Sequence, residues 1–328
     1  MLHTNNNTNV MRIVRLTLVT ISALVLSSIH GTIYAKHNGA FCSNTANLAL
    51  KACRFDVKDD FWLAKANCSN ISDHEERVEC KKEAKEERTE TKEECFDIRE
   101  ARHEVCDLLG EARYEPDIDP ANFVDPLEIG NTIAPNPYFI LTPGFTRIYE
   151  EGDETITVTN TTETIEILGV TCIVVRDIVE EDGVVVEDTV DWHAQDIYGN
   201  VWYFGEIAQN FEEGILTDLD GSFKAGVEGA APGISMKAMP MVGDAYRQEW
   251  ALSEAEDLGE VLSITASETS PAASCDGTCI QTRDFSPLEP EVNENKFYAA
   301  GIGVIVEYDT SEPEERGELV EYFYAPLP

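Results

Sequence analysis

The chain has 328 residues, 43% of them apolar, which is room for two ordinary domains with a buried core and excludes an intrinsically disordered chain. Its formal charge of −38 is lopsided: residues 41–110 carry 17 acids and 12 bases, whereas residues 111–328 carry 45 acids and 9 bases. A field of that sign repels nucleic acid and anionic lipid and favours cations or basic partners, although it also serves simply to keep a protein soluble.

Residues 1–35 read as an export signal. Arg12 and Arg15 precede an apolar run over 16–26, and small and polar residues lead to a cleavage point after Ala35. The run is too short to span a bilayer, and no later stretch is long and apolar enough, so the expected product is exported, periplasmic or extracellular, with no membrane span. Cys42 follows Gly39-Ala40-Phe41, and phenylalanine is the wrong residue before a lipidated cysteine, so Cys42 reads as structural. Export to an oxidising compartment makes the cysteines candidates for disulfides rather than metal ligands.

Residues 36–110 read as a disulfide-stapled helical hairpin. Cys42, Cys53, Cys68, Cys80, Cys95 and Cys106 are spaced by 11, 15, 12, 15 and 11 positions, a palindrome centred on His74. At roughly 100° per residue, steps of 11 and 15 overshoot whole turns by about 20° and 60°, so the three cysteines of each arm share one stripe. Two antiparallel helices would then pair Cys42 with Cys106, Cys53 with Cys95, and Cys68 with Cys80. Leu48, Phe61, Val78, Phe96, Ile98 and Val105 are expected beside them on the inner face. Ser72 with Glu75 fits a capping box that opens the second helix, and Gly110 closes it. Two helices bury too little apolar surface to hold together unaided, which is why covalent staples are the physical solution.

Residues 111–137 form an acidic linker punctuated by Pro116, Pro120, Pro126, Pro135 and Pro137, a pattern that prevents a helix. Phe123, Val124, Leu127 and Ile129 need something to pack on, so an ordered crossover is expected. Residues 138–328 read as an antiparallel β domain, a curled sheet, half-barrel or sandwich. Strands are expected at 146–150, 155–160, 164–168, 170–179, 184–195, 201–206, 245–252, 260–266, 279–285, 296–300, 304–308 and 319–324, with tight turns at Asp182-Gly183 and Tyr198-Gly199-Asn200. No alternation of strand and helix appears, and the fold class is α+β with segregated halves. Three cysteines remain: a local Cys275–Cys279 bridge around Asp276-Gly277 leaves Cys172 as a buried thiol, and the competing pairing joins Cys172 to Cys279.

Candidate chemistry is sparse. His193 is the only histidine beyond residue 110 and no Gly-x-Ser-x-Gly elbow occurs, so neither a histidine-rich metal site nor a serine hydrolase is expected, and no catalytic, cofactor-binding or metal residue is assigned. Asp218-Leu219-Asp220-Gly221 resembles the start of a calcium loop but lacks its closing glutamate, and reads more simply as a turn. No cofactor is expected, with calcium left open as an assembly ion for the acidic half. The densest cluster is Asp191-Trp192-His193-Ala194-Gln195-Asp196 with Val201-Trp202-Tyr203-Phe204-Gly205-Glu206. Opposed on neighbouring strands, Trp192, His193 and Trp202 would form a ligand face for a glycan or an apolar molecule, or else part of the core.

The stretches Asn136-Pro137-Tyr138-Phe139, 141–144, Gly169-Val170-Thr171-Cys172 through Asp177, 191–206, Pro232-Gly233-Ile234, 243–249, 282–290 and 298–303 together resemble a group of exported bacterial proteins of unknown function, over most of residues 136–308. Gly301-Ile302-Gly303 after Tyr298 is similar, more remotely, to half-barrel sheet proteins of the cell envelope. The resemblance implies binding or a structural role and transfers no site residues. The expectation is therefore an exported non-catalytic binding or structural protein, with a cationic or glycan ligand. The alternatives are a hydrolase using carboxylates beside Trp192 and Trp202, and a calcium-dependent assembly protein.

Overall fold

The computed structural model describes residues 39–325; the export signal read over 1–35 lies outside them. Two helices come first, α1 over Phe41–Ser69 and α2 over His74–Leu109, and neither contains proline or glycine. They are joined by Cys42–Cys106, Cys53–Cys95 and Cys68–Cys80, with Cα–Cα separations of 5.6, 5.9 and 5.6 Å, the nested pairing the palindrome implies. Phe61 and Val105 are buried, but Leu48 and Val78 are 51% and 54% exposed. The angular arithmetic explains this: Val78 stands two positions from Cys80 and Leu48 five from Cys53, about 200° and 140° around the helix from the sulfur stripe. The inner face is thus narrower than expected.

The second helix is capped by Asp73 rather than by the Ser72 box. Asp73 Oδ1 accepts from the backbone N–H of Glu75 (2.8 Å) and Glu76 (3.0 Å), which satisfies two of the first-turn donors from one carboxylate. Gly110 closes the helix at φ 90°, and its N–H donates to the carbonyl of Cys106.

The crossover makes two single 3₁₀ turns, Pro120–Asn122 and Pro126–Glu128, each entered through an aspartate, Asp119 and Asp125, that caps it. Its backbone is tied to the sheet where Val124 N donates to Gln195 O (3.0 Å) and Ile197 N to Asn122 O (2.8 Å). Ile118 and Phe123 pack on one face of that sheet, while Ile129 and Ile133 pack on the other beside Ile173 and Val175.

Fifteen strands follow: β1 Phe145–Glu151, β2 Glu154–Ile167, β3 Val170–Glu181, β4 Val184–Gln195, β5 Val201–Glu212, β6 Ile215–Asp218, β7 Phe223–Lys224, β8 Ala231–Met236, β9 Ala245–Arg247, β10 Glu249–Trp250, β11 Leu258–Thr269, β12 Ser274–Phe285, β13 Asn293–Ala299, β14 Gly303–Asp309 and β15 Gly317–Tyr324. The segments 155–160 and 164–168 are one strand, β2, interrupted by an irregularity between Asn160 and Thr164. The segment 245–252 is two strands, because Gln248 separates β9 from β10. Strands β6, β7 and β8 escape sequence reading: β7 is two residues long, and the adjacent Pro232 and Gly233 in β8 are residue types that weaken a strand pattern.

Every ladder is antiparallel, in the order β10-β8-β5-β4-β3-β2-β1-β15-β14-β13-β12-β11-β9. The two ends of that order, β9 and β10, are consecutive in the chain, so Gln248 steps from one edge of the sheet to the other and nearly closes it as a barrel. Two glycines permit the close approaches. A Cβ at Gly233 would stand 2.1 Å from Gln248 O, and one at Gly205, φ +126°, 2.2 Å from Phe223 O. Cys275 and Cys279 are bridged, and Cys172 is a free, buried thiol. Burial pushes that thiol up to about 12, so it is inert.

Candidate ligand site inside the curved sheet

Side chains alternate along each strand, and the inward set is unusually polar. On β3, Cys172 and Val174 point outward to an apolar cluster with Trp192, Phe204 and Ala225, while Val175 and Asp177 point inward. The same period puts Arg147 and Tyr149 of β1, Asp191 and His193 of β4, Tyr203 of β5, and Lys296 and Tyr298 of β13 on the inner wall. Together with Glu249, Asp257, Asp284 and Glu307 they surround a cavity of about 320 Å³.

Six carboxyl groups therefore face two fixed cations. Lys296 Nζ is 3.4 Å from Glu307, 3.2 Å from Glu294 and 3.8 Å from Asp284. Burial works against its charge, but Glu307, Glu294 and Asp284 outweigh that and hold the ammonium well above its ordinary range. Asp177, Asp191, Glu249 and Asp257 form no ion pair among the described residues, and one oxygen of Asp177 is buried without a hydrogen-bond partner. Burial, reinforced by Asp191 and Glu187, pushes Asp177 up to about 7. Asp191 is pushed up to about 6 by burial, against the hydrogen bond it receives from the Tyr203 hydroxyl. Burial and then Asp257 and Glu206 raise Glu249 well above its usual value. Near neutral pH the wall thus holds several carboxyls that are protonated or close to it.

His193 is stacked on Tyr203 (centroids 4.5 Å apart) and packed on Phe139 (5.0 Å), with Nδ1 3.4 Å from Ser235 Oγ. Burial, helped by the Arg147 charge, pushes it down to about 3, so it is neutral. Arg147 is 5% exposed, and its Nε–H is buried without a partner.

The three residues expected on one ligand face do not share one. His193 lines the inner cavity, whereas Trp192 and Trp202 pack outward in the cluster that the crossover covers with Ile118 and Phe123. The reason is the strand period, which puts neighbours 192 and 193 on opposite faces. Trp192 also borders a groove of about 410 Å³ with Glu206, Lys224, Glu228 and Glu254. Glu206 is pushed up to about 8 there by burial and by Asp191. Sequence reading missed Arg147, Asp177, Lys296, Asp257, Glu249 and Glu307. A polar residue alternating with apolar ones in a strand is normally taken to face water, and only closure of the sheet turns that face inward.

The Asp218-Leu219-Asp220-Gly221 segment lies between β6 and β7, with Asp218 Oδ1 accepting from Asn210 Nδ2 (2.7 Å) and Asp220 N (3.2 Å). Among the described residues no three His, Cys, Asp or Glu side chains converge well enough to hold a metal ion. No helix among them is long and apolar enough to cross a membrane.

No protein-family model and no curated protein matches the chain. Among solved structures it is similar to a Bacteroides fragilis protein assigned as exported with a YmcC-like fold, at 12% identity over 58% of this chain and 97% of that one, with a TM-score of 0.32. It is also similar to a Parabacteroides distasonis protein assigned as a lipoprotein, at 11% identity over 58% of this chain and 100% of that one, with a TM-score of 0.31. Similarity at that level does not bear on the chemistry of the site.

Proposed function

We infer that this is an exported, non-catalytic binding protein that takes a small cationic ligand into the interior of its sheet. The observation that carries the reading is the inner wall itself, where four carboxyls that form no ion pair among the described residues border a cavity of about 320 Å³. Burying such groups costs several kcal/mol, and an apolar filling would give a more stable barrel. A cation entering the cavity relieves that cost by drawing the carboxyls into their charged form and releasing protons. The four disulfides support export, since they persist in oxidising compartments. A thermal-shift screen of the oxidised full chain tests the reading with a linear diamine, choline, calcium and neutral oligosaccharides. An organic cation should raise the melting temperature of the native chain and not of Asp177→Asn. Stabilisation by the neutral sugars alone would contradict it.

A carbohydrate-active hydrolase is the second reading, favoured by one observation: Glu206, pushed up to about 8, borders the same groove as Trp192. A protonated carboxyl beside an aromatic platform suits a general acid. Hydrolysis of glycosides abolished by Glu206→Gln would establish it, and absence of turnover across a glycoside panel would remove it.

A further inference from the structure

A second cavity, of about 330 Å³, lies where the open end of the hairpin meets β9 and β10. Its chemistry inverts that of the sheet interior: Arg113 and Arg247 stand among Phe41, Tyr114 and Trp250, with Glu115 as the one carboxylate in its lining. In a chain of 62 acids and 24 bases, a cationic recess is an unusual place. Neither arginine forms an ion pair among the described residues.

Arg247 is 6% exposed, and its Nη1 is buried with no hydrogen-bond partner. A buried charged donor left unmet is costly, and the acid whose field reaches it, Glu256, is already committed to Arg102. The guanidinium lies 4.2 Å from the Trp250 ring centroid and 5.7 Å from that of Tyr114, and Arg113 lies 3.8 Å from that of Phe41. Each guanidinium is thus placed over a ring, a position from which a guanidinium can still grip a carboxylate in a fork.

The walls are fixed. The Tyr114 hydroxyl donates to Pro232 O at 2.8 Å, Phe41 N donates to Glu111 O at 3.2 Å, and the Cys42–Cys106 bridge closes the hairpin beside them. We propose that this recess is an anion site for a singly charged carboxylate carried on a flat ring, with the carboxylate on Arg247 and Arg113 and the ring against Trp250 and Phe41. The single charge follows from the surroundings: a chain at −38 repels a dianion about twice as strongly as a monoanion, which selects against phosphate.

The test is titration of benzoate, benzamide and inorganic phosphate into the oxidised full chain, followed by the indole N–H resonances of its four tryptophans, with Trp250 assigned through Trp250→Phe. Benzoate should shift the Trp250 signal saturably, benzamide should not, and phosphate should bind more weakly. Affinity for benzoate should fall about tenfold or more in Arg247→Gln, as expected when a charge-assisted hydrogen bond is lost. Arg113 is exposed, so Arg113→Gln keeps the fold and should weaken benzoate as well, which preserves the test if Arg247→Gln unfolds. The site is refuted if benzoate gives no saturable shift or matches benzamide, if phosphate binds more tightly, or if benzoate binding survives the substitutions.

Discussion

Arg102 of α2 and Glu256, in the connection between β10 and β11, form an ion pair buried at both ends, 6% and 1% exposed. Arg102 Nε donates to both carboxylate oxygens at 3.2 and 3.0 Å, and the Ser253 backbone N–H donates to Glu256 at 2.8 Å. This pair clamps the hairpin to the sheet. Removing one partner strands a buried charge, so Glu256→Ala should destabilise the chain by about 3–5 kcal/mol in urea unfolding. The double change Arg102→Met with Glu256→Leu should recover most of that loss, because a buried pair and an apolar pair of similar volume are often close in stability.

Within the hairpin, the middle bridge can be removed by replacing Cys53 and Cys95 with alanine. The loss should be about 2–4 kcal/mol of stability, since the bridge acts mainly by restricting the unfolded chain. The flanking bridges keep the legs paired, so helicity by circular dichroism should be retained at room temperature. Peptide mapping of the native chain should return the three nested pairs and Cys275–Cys279, with Cys172 free.

Stability should rise as pH falls from 8.5 to 6.5. Asp177, Asp191 and Glu206 have their folded values raised from 3.8, 3.8 and 4.5 to about 7, 6 and 8. A raised carboxyl binds its proton more tightly when folded, so its contribution is complete below about 4 and is lost as pH rises through 6–8. His193, lowered from 6.5 to about 3, contributes above 6.5 and opposes them only below it. Thermal unfolding should show a melting temperature higher by roughly 5 °C at pH 6.5 than at 8.5. Glu206→Gln with Asp177→Asn should flatten that slope.

Barrel closure depends on two backbones meeting without a side chain between them. Gly205→Ala would set a methyl 2.2 Å from Phe223 O at φ +126°. A cost of about 2–4 kcal/mol is expected, read by chemical denaturation. It should come with loss of amide protection at Ala225, whose N–H donates to Phe204 O at 2.9 Å.

The hairpin was legible because helical geometry turns cysteine spacing into angles, and the strands because turn residues bracket β-branched runs. The site was not. Asp177 and Arg147 sit two strands apart in one row, through the register Arg147–Val158–Asp177, and no local pattern announces that these inward positions surround a cavity. The tryptophans drew attention as a platform, yet the strand period sends Trp192 outward and His193 inward. Asp73 took the cap expected of Ser72 because both residues lie in the turn, and only backbone angles distinguish the two.

If cations enter the sheet interior in exchange for protons, their binding must be linked to proton release. Calorimetric titration of a linear diamine into the oxidised full chain at pH 7, in two buffers of different ionisation heat, measures this directly. Saturable binding with net proton release to the buffer is expected, with affinity at least about tenfold lower in Asp177→Asn with Asp191→Asn. Binding without proton exchange, or equal affinity in the double variant, would contradict it.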